Sequence, residues 1–348
     1  GGGELVISFK ELLRLILGIL IISAMLTILF IISKNETSSM AMGGSIHPNT
    51  HVESTFSKSV FIQDEVNDYS KRFQRPSKQP ALNLKYRFRM PKDFDKPPYI
   101  APDYPNVYNS AEDVIHSYYS ILKEAANMLE YHGGCGTVGL DKIPYPFAYE
   151  LLSVSKKQEV SLAEFIKSFS GIGHITLLRL LPAYTPPHTP ENIQYYMVEI
   201  EVITGPPYKE KENAPGYFAY YYGLITTEHT TSDGWKIKKI DYIPEDFLCA
   251  PYHHWHWDAQ AITEIIYNGW YGLIDKIEKE EMVDSMIYIY ASGKEKEYRL
   301  DFIRLTNGYD ILLHEYIQED GQWTEVNLLK EDDQYHKLSI LNPMLQKR

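Results

Sequence analysis

Four consecutive runs between His174 and Ile243 alternate apolar and polar residues with a period of two: HITLLRLLPAY (174–184), IQYYMVEIEVIT (193–204), GYFAYYYGLITTEHT (216–230) and WKIKKIDYI (235–243). A period of two sends successive side chains to opposite faces, so these runs fold as half-buried strands and not as helices. Asp233-Gly234 between the last two is a tight-turn signal that joins them as an antiparallel hairpin. Ahead of them lie two stretches with helical spacing. Ser110 with Asp113 three residues on resembles a capping box, and Val114, Ile115, Tyr118, Leu122, Ala125 and Leu129 follow at helical intervals up to Gly133-Gly134. Ser161 with Glu164 marks a second, short helix bearing Phe165, Ile166 and Phe169, with Gly171 and Gly173 as breakers. The expected class is α+β, with helices first and a curved antiparallel sheet after them.

A second unit begins at Asp258. In AQAITEIIYNGWYGLIDKIEKEEM, residues Ile262, Ile265, Ile266, Trp270, Leu273 and Ile277 recur at helical spacing, which predicts one helix. Four strands follow as a meander (MIYIYA, KEYRLDFIRLT, YDILLHEYIQ and WTEVNLL), with Asn307-Gly308 and Asp320-Gly321 as hairpin turns. One helix covering one face leaves Lys294, Glu295, Lys296, Glu297, Arg299 and Asp301 wet or largely so. The unit holds no nucleophile motif, phosphate loop or ligand cluster, and modules of this design bind a partner or pack on a neighbour.

Near the N-terminus, Leu15–Ser33 is an uncharged apolar run of the length that crosses a hydrocarbon core of about 30 Å as a helix. Lys10 and Arg14 precede it and Lys34 follows, so the positive-inside bias places residues 1–14 in the cytoplasm and the body outside the membrane. The other reading is a secretory signal cleaved near Ser39-Met40-Ala41, which exports the same body as a secreted protein. Residues 34–107 read as a linker: polar at first, then rich in proline and basic residues, a spacer between membrane and body. Within it LNLKYRFRM (82–90) alternates like a strand able to add to a sheet edge.

The chain has 348 residues and a formal net charge of −12, although residues 71–96 alone hold nine Lys or Arg against Asp93 and Asp95. The rest is therefore strongly acidic, which argues against nucleic acid as a partner, since binding phosphates calls for a basic face. Cys135 and Cys249 form a disulfide or remain as two buried thiols; the sequence leaves both open.

The segments SAEDVIHSYYSILKEAANMLEY, SLAEFIKSFSGIGHI and AYYYGLITTEHTTSDGWKIKKIDYIPEDF resemble the nuclear-transport-factor-2-like fold, also called the SnoaL or ketosteroid-isomerase-like fold, over roughly residues 108–258. The resemblance implies a cone of sheet wrapped around a long first helix. It also implies a setting, since such domains recur behind a single anchor in Gram-positive envelope proteins of conjugation, sporulation and wall synthesis, as assembly or spacer modules. The expected organisation is a cytoplasmic N-terminus (1–14), a transmembrane anchor (15–33), a linker (34–107), the nuclear-transport-factor-2-like domain (108–257), the helix plus four-strand meander (258–330) and a tail (331–348).

Two kinds of site come from the residues. Enzymes of the resembled fold place an acid or base and a tyrosine in the cone, and here the candidates are His116, His174, Tyr196, Tyr220 and Tyr222. None stands in a distinguishing motif, and a histidine beside Val114 and Ile115 is more often hydrogen-bonded structure. YHHWHWD supplies His253, His254, His256 and Asp258, which read either as metal ligands or, on the preferred reading, as an aromatic inter-domain link in which Asp258 caps the next helix. The expected function is that of a non-catalytic envelope module without cofactor, held to the membrane by residues 15–33 and engaging other envelope proteins or itself. The alternative is an exported small-molecule binder or enzyme using the cone pocket.

Overall fold

The computed structural model describes residues 40–47, 77, 79–82, 85–128, 139–204, 217–245 and 258–346. The chain divides into the units Gly1–Ser39 and Met40–Arg348. The first unit, and with it the apolar run 15–33, lies outside the described residues, as do Cys135, Cys249, His253, His254 and His256. Among the described residues no helix is long and apolar enough to cross a membrane.

The second unit is α+β, built from two sheets. The first contains β1 (Met40–Ala41), β2 (Gly44–Ile46), β3 (Ile172–Pro182), β4 (Ile193–Thr204), β5 (Tyr217–Thr230) and β6 (Gly234–Pro244), in the order β1-β2-β6-β5-β4-β3. The four alternating runs of the sequence are β3 to β6, all antiparallel, and the predicted turn at Asp233-Gly234 connects the last two. Helix α1 (Ala111–Lys123) lies on one face of this sheet. The Ser110 hydroxyl accepts the Asp113 amide at 3.2 Å, while Glu112 and Asp113 in the first turn and Lys123 in the last suit the helix dipole. The buried residues Val114, Ile115, Tyr118, Ile121 and Leu122 join Ile175, Val198, Ile200, Ile225 and Tyr242 of the sheet in one apolar core.

This helix is shorter than its spacing predicts. It stops at Lys123 because Ala126 and Asn127 donate their amides to Asp141 and Ile172 carbonyls at 2.9 and 2.7 Å instead of continuing the helical ladder. Three short helices follow: α2 (Tyr145–Tyr149), α3 (Val154–Glu159) and α4 (Leu162–Lys167). The predicted capping box of α4 is present, with Ser161 and Glu164 bonding reciprocally. The helices α2 and α3 were signalled only by Pro144-x-Pro146 and by Ser153, which caps Lys156.

The stretch expected as a spacer is part of this lobe wherever it is described. Strand β2 pairs parallel with β6, with Ser45 opposite Asp241 and Ile46 opposite Tyr242. Met42 is buried, its amide bonded to the Ser168 carbonyl at 2.9 Å, and His47 bonds Asp241 at 2.8 Å across 194 residues of sequence. Gly43 has φ +77°, and a side chain there would collide with Tyr118 and Phe165. Further on, Phe88 and Ala101 enter the first core, and Phe88 and Tyr99 both stack edge-on against Phe147 at 5.2 and 5.6 Å. Apolar side chains in a proline-rich segment thus find a surface, and the backbone of β2 covers what would otherwise be the open edge of β6. Of the run 82–90, Leu82 donates to the Leu177 carbonyl of edge strand β3, and its described residues otherwise form no strand.

The second lobe starts with α5 (Ala259–Ile262), which runs on as a π-helix, Thr263–Trp270. Its sheet is an antiparallel meander of five strands: β7 (Lys276–Val283), β8 (Met286–Gly293), β9 (Lys296–Arg304), β10 (Asp310–Glu319) and β11 (Gln322–Val326). The expected helix through Met282 and four-strand sheet need correction here. Gly272 at φ +55° ends the helix, and KIEKEEMV pairs with β8 as an edge strand whose side chains are mostly exposed. Asn307-Gly308 and Asp320-Gly321 occupy the β9–β10 and β10–β11 turns, with both glycines at positive φ. The helix covers one sheet face, where Ile262, Ile266 and Tyr267 pack on Ile289, Leu300 and Phe302.

A third core joins the lobes. Tyr195, Met197, Tyr222, Leu224 and Ile243 from the first sheet meet Ile303, Ile311 and Leu313 from the second. Residues 331–346, set apart in the sequence as a tail, contribute to it. After a 3₁₀ turn (Glu331–His336), Leu338 is buried in this core, and so are Met344 and Leu345 of α6 (Pro343–Gln346).

Candidate functional site

The three tyrosines proposed for a cone pocket do not share one face of the sheet. Register and parity decide this: Tyr196 lies opposite Ile225 on the α1 side of the sheet, whereas Tyr220 lies opposite Glu201 and Tyr222 opposite Glu199 on the other face. The Tyr196 hydroxyl donates to Gln194 at 3.0 Å. Tyr220 donates to Glu201 at 2.5 Å, and Tyr222 is packed in the inter-lobe core. His116 on α1 is half-buried, and burial holds its imidazole below the usual range; the same holds for His174 near the start of β3. Both imidazoles are therefore neutral at pH 7. The core between α1 and the sheet holds Tyr118, Tyr119 and Tyr242, all 0% exposed, with the Tyr119 and Tyr242 hydroxyls 2.7 Å apart. Burial pushes all three phenols up, so they stay protonated.

Of the proposed metal ligands only Asp258 is described, and its carboxylate accepts the Ala261 amide at 2.7 Å as the cap of α5. Beside it Asp310 accepts the Ala259 amide at 2.8 Å and a two-pronged contact from Arg304. Among the described residues no group of three or more His, Cys, Asp or Glu could hold a metal ion. A polar groove of about 600 Å³ between the π-helix and β7 is lined by Glu264, Asp275, Lys276 and Glu280.

Where the lobes meet, charge is buried. Arg179 of β3 pairs with Glu199 of β4, and its guanidinium also donates to Ser285 at 2.9 Å from the β7–β8 turn. Glu199 accepts the Thr306 amide at 2.8 Å and Glu245 the Asn307 amide at 3.2 Å, both from the β9–β10 turn. Burial pushes the Glu245 carboxyl up to about 8, against the opposing pull of the Asn307 amide and of Arg179. With Arg179 already paired to Glu199, a second buried carboxylate has no cation to itself, so Glu245 keeps its proton.

The other notable arrangement is on the second sheet. Where its outer face runs beyond the inter-lobe core, the alternation presents rings in place of small polar groups. Register puts Trp323 of β11, Tyr316 of β10, Arg299 of β9, Tyr290 of β8 and Lys279 of β7 on this face, with Tyr288 beside them. The four rings are half-buried. The Arg299 guanidinium lies 4.1 Å from the Tyr316 ring centre and 5.5 Å from that of Trp323, Tyr290 and Trp323 are 6.1 Å apart, and Lys279 sits 5.7 Å over Tyr290. Arg299, Lys279 and His314 each have a partner within the face. Asp301 holds Arg299 through two hydrogen bonds of 2.9 and 3.2 Å, Glu281 holds Lys279 at 2.8 Å, and Glu325 holds His314 at 2.6 Å. Asp301, expected to be wet, is instead buried beneath this row, which raises its carboxyl above the usual range despite Arg299. The row went unread in the sequence, although its signal was there: Tyr288, Tyr290, Tyr316 and Trp323 occupy the wet phase of strands whose dry phase is already filled.

No protein-family model matches the chain, and no curated protein matches it. One solved structure, described as an "Ntf2 like protein involved in plasmid conjugation", is similar over 50% of this chain and 88% of its own, at 9% identity and a TM-score of 0.18. At that score the likeness carries no weight for fold or function.

Proposed function

We propose that this protein is a non-catalytic module of a cell-envelope assembly, in which residues 15–33 anchor it, the N-terminus is cytoplasmic and the body lies outside the membrane. In this reading the first lobe has a nuclear-transport-factor-2-like build and acts as scaffold, while the ring-bearing face of the second sheet docks an envelope component. The row Trp323–Tyr316–Arg299–Tyr290 carries the reading, because aromatic and guanidinium groups are the ones that proteins concentrate at contact surfaces. The packed core between α1 and the first sheet supports a scaffold over a pocket enzyme. The test extracts native membranes with detergent and sediments the residual envelope. Full-length protein is expected in the sediment, and the double variant Trp323→Ala, Tyr290→Ala in the supernatant with its circular dichroism unchanged. Retention of the variant at the wild-type level would remove this face as the docking surface.

A further inference from the structure

Resting on the docking face just proposed, we infer that its ligand is an uncharged glycan chain. Three features of the face select this chemistry. The first is the rings: four half-buried aromatic side chains on β8, β10 and β11, with those of Tyr290 and Trp323 6.1 Å apart, offer apolar platforms on the scale of a hexose, whose C–H faces pack on aromatic surfaces. The second is the charge balance. Arg299 and Lys279 are each bonded to a carboxylate of the same face, so neither cation is left over for a phosphate or sulfate, and a chain of net charge −12 repels polyanions as a whole. By the same pairing the carboxylates Asp301 and Glu281 each already face a cation and do not call for a basic peptide. The third is hydrogen bonding: Glu325 is exposed and Glu281 half-exposed at the two ends of the row, where remaining oxygen lone pairs can accept from sugar hydroxyls. Rings to stack on, flanked by neutral pairs with spare acceptors, match a ligand that is ring-shaped, hydroxyl-rich and uncharged.

Calorimetric titration of the full chain tests this, in a detergent without a sugar headgroup, with N-acetylglucosamine hexasaccharide and cellohexaose as probes. Saturable binding of at least one hexasaccharide is expected with Kd of about 10⁻⁵–10⁻³ M, unchanged between about 0.05 and 0.5 M salt. Trp323→Ala is expected to weaken it about tenfold, and Trp323→Phe to recover part of the loss, because the platform and not the indole N–H is at issue. Three outcomes overturn the inference: no saturable binding of either probe, binding that Trp323→Ala and Tyr290→Ala leave intact, or salt-sensitive binding of heparin or a lysine-rich peptide in place of the hexasaccharides. If the hexasaccharides fail while envelope retention still depends on Trp323 and Tyr290, the glycan is wrong and the docking face stands. If retention is also indifferent to them, both fall.

Discussion

Replacing Lys337 by methionine is expected to lower the unfolding free energy by about 3–5 kcal/mol, the cost of leaving a buried charge without its partner. Lys337 and Glu315 have fully buried side chains 2.7 Å apart. The ammonium also lies 3.7 Å over the Tyr184 ring and 3.3 Å from the Asn327 side-chain oxygen, so it fixes the segment after β11 against both lobes. Glu315 accepts from the Tyr267 hydroxyl at 2.6 Å and from the Leu329 amide at 3.1 Å, which ties the π-helix into the same network. Without Lys337 the carboxylate keeps two donors but no cation. The double variant Lys337→Met, Glu315→Gln keeps an acceptor for Tyr267 and removes the charge, and should recover more than half of the loss. Urea denaturation followed by far-ultraviolet circular dichroism decides it; a single variant within about 1 kcal/mol of wild type would mean that the pair is not closed to water.

The second large effect is a pH dependence. Glu245 titrates near 8 in the folded chain because it is buried, and near its ordinary 4.5 when unfolded. Between these values the folded state retains a proton that the unfolded state has released. The contribution to stability is therefore complete below the unfolded value and is lost as pH rises through the folded one. At about 1.4 kcal/mol per pH unit, this removes up to about 4 kcal/mol between pH 5 and pH 8. Glu245→Gln keeps the shape without the titration, so its stability should fall less steeply over that range and exceed that of wild type at pH 8. Other groups titrate in the same interval, and the difference between the two proteins isolates Glu245. Parallel stability curves for the two proteins would contradict the assignment.

How far the sequence could be read depended on where each partner lay along the chain. Strands β3 to β6 were legible because each is half-buried and alternates, and because Asp233-Gly234 fixes a neighbouring pair; the meander turns and the Ser161 capping box are local in the same way. Strand β7 was not, since an edge strand with both faces wet has no period of its own, and Leu273 and Ile277 extend the helical spacing that precedes them. The pairing of β2 with β6 and the contact of His47 with Asp241 were beyond reach because the partner is 194 residues distant and is chosen by an open sheet edge rather than by local pattern. The site behaved likewise. Separating Tyr196 from Tyr220 and Tyr222 takes only parity, but knowing which face meets α1 takes the packed fold. Bringing Arg299 beneath Tyr316 and Trp323 takes the register of three strands.

Hydroxyl-radical footprinting of the full chain, purified and in native envelopes, tests the docking face most directly. The account predicts that Tyr288, Tyr290, Tyr316 and Trp323 are labelled less in the envelope than in the purified protein, while Val154, exposed on the first lobe, is labelled equally in both. Equal labelling of the four rings in the two states, with protection at Val154 or elsewhere on the first lobe, would contradict it.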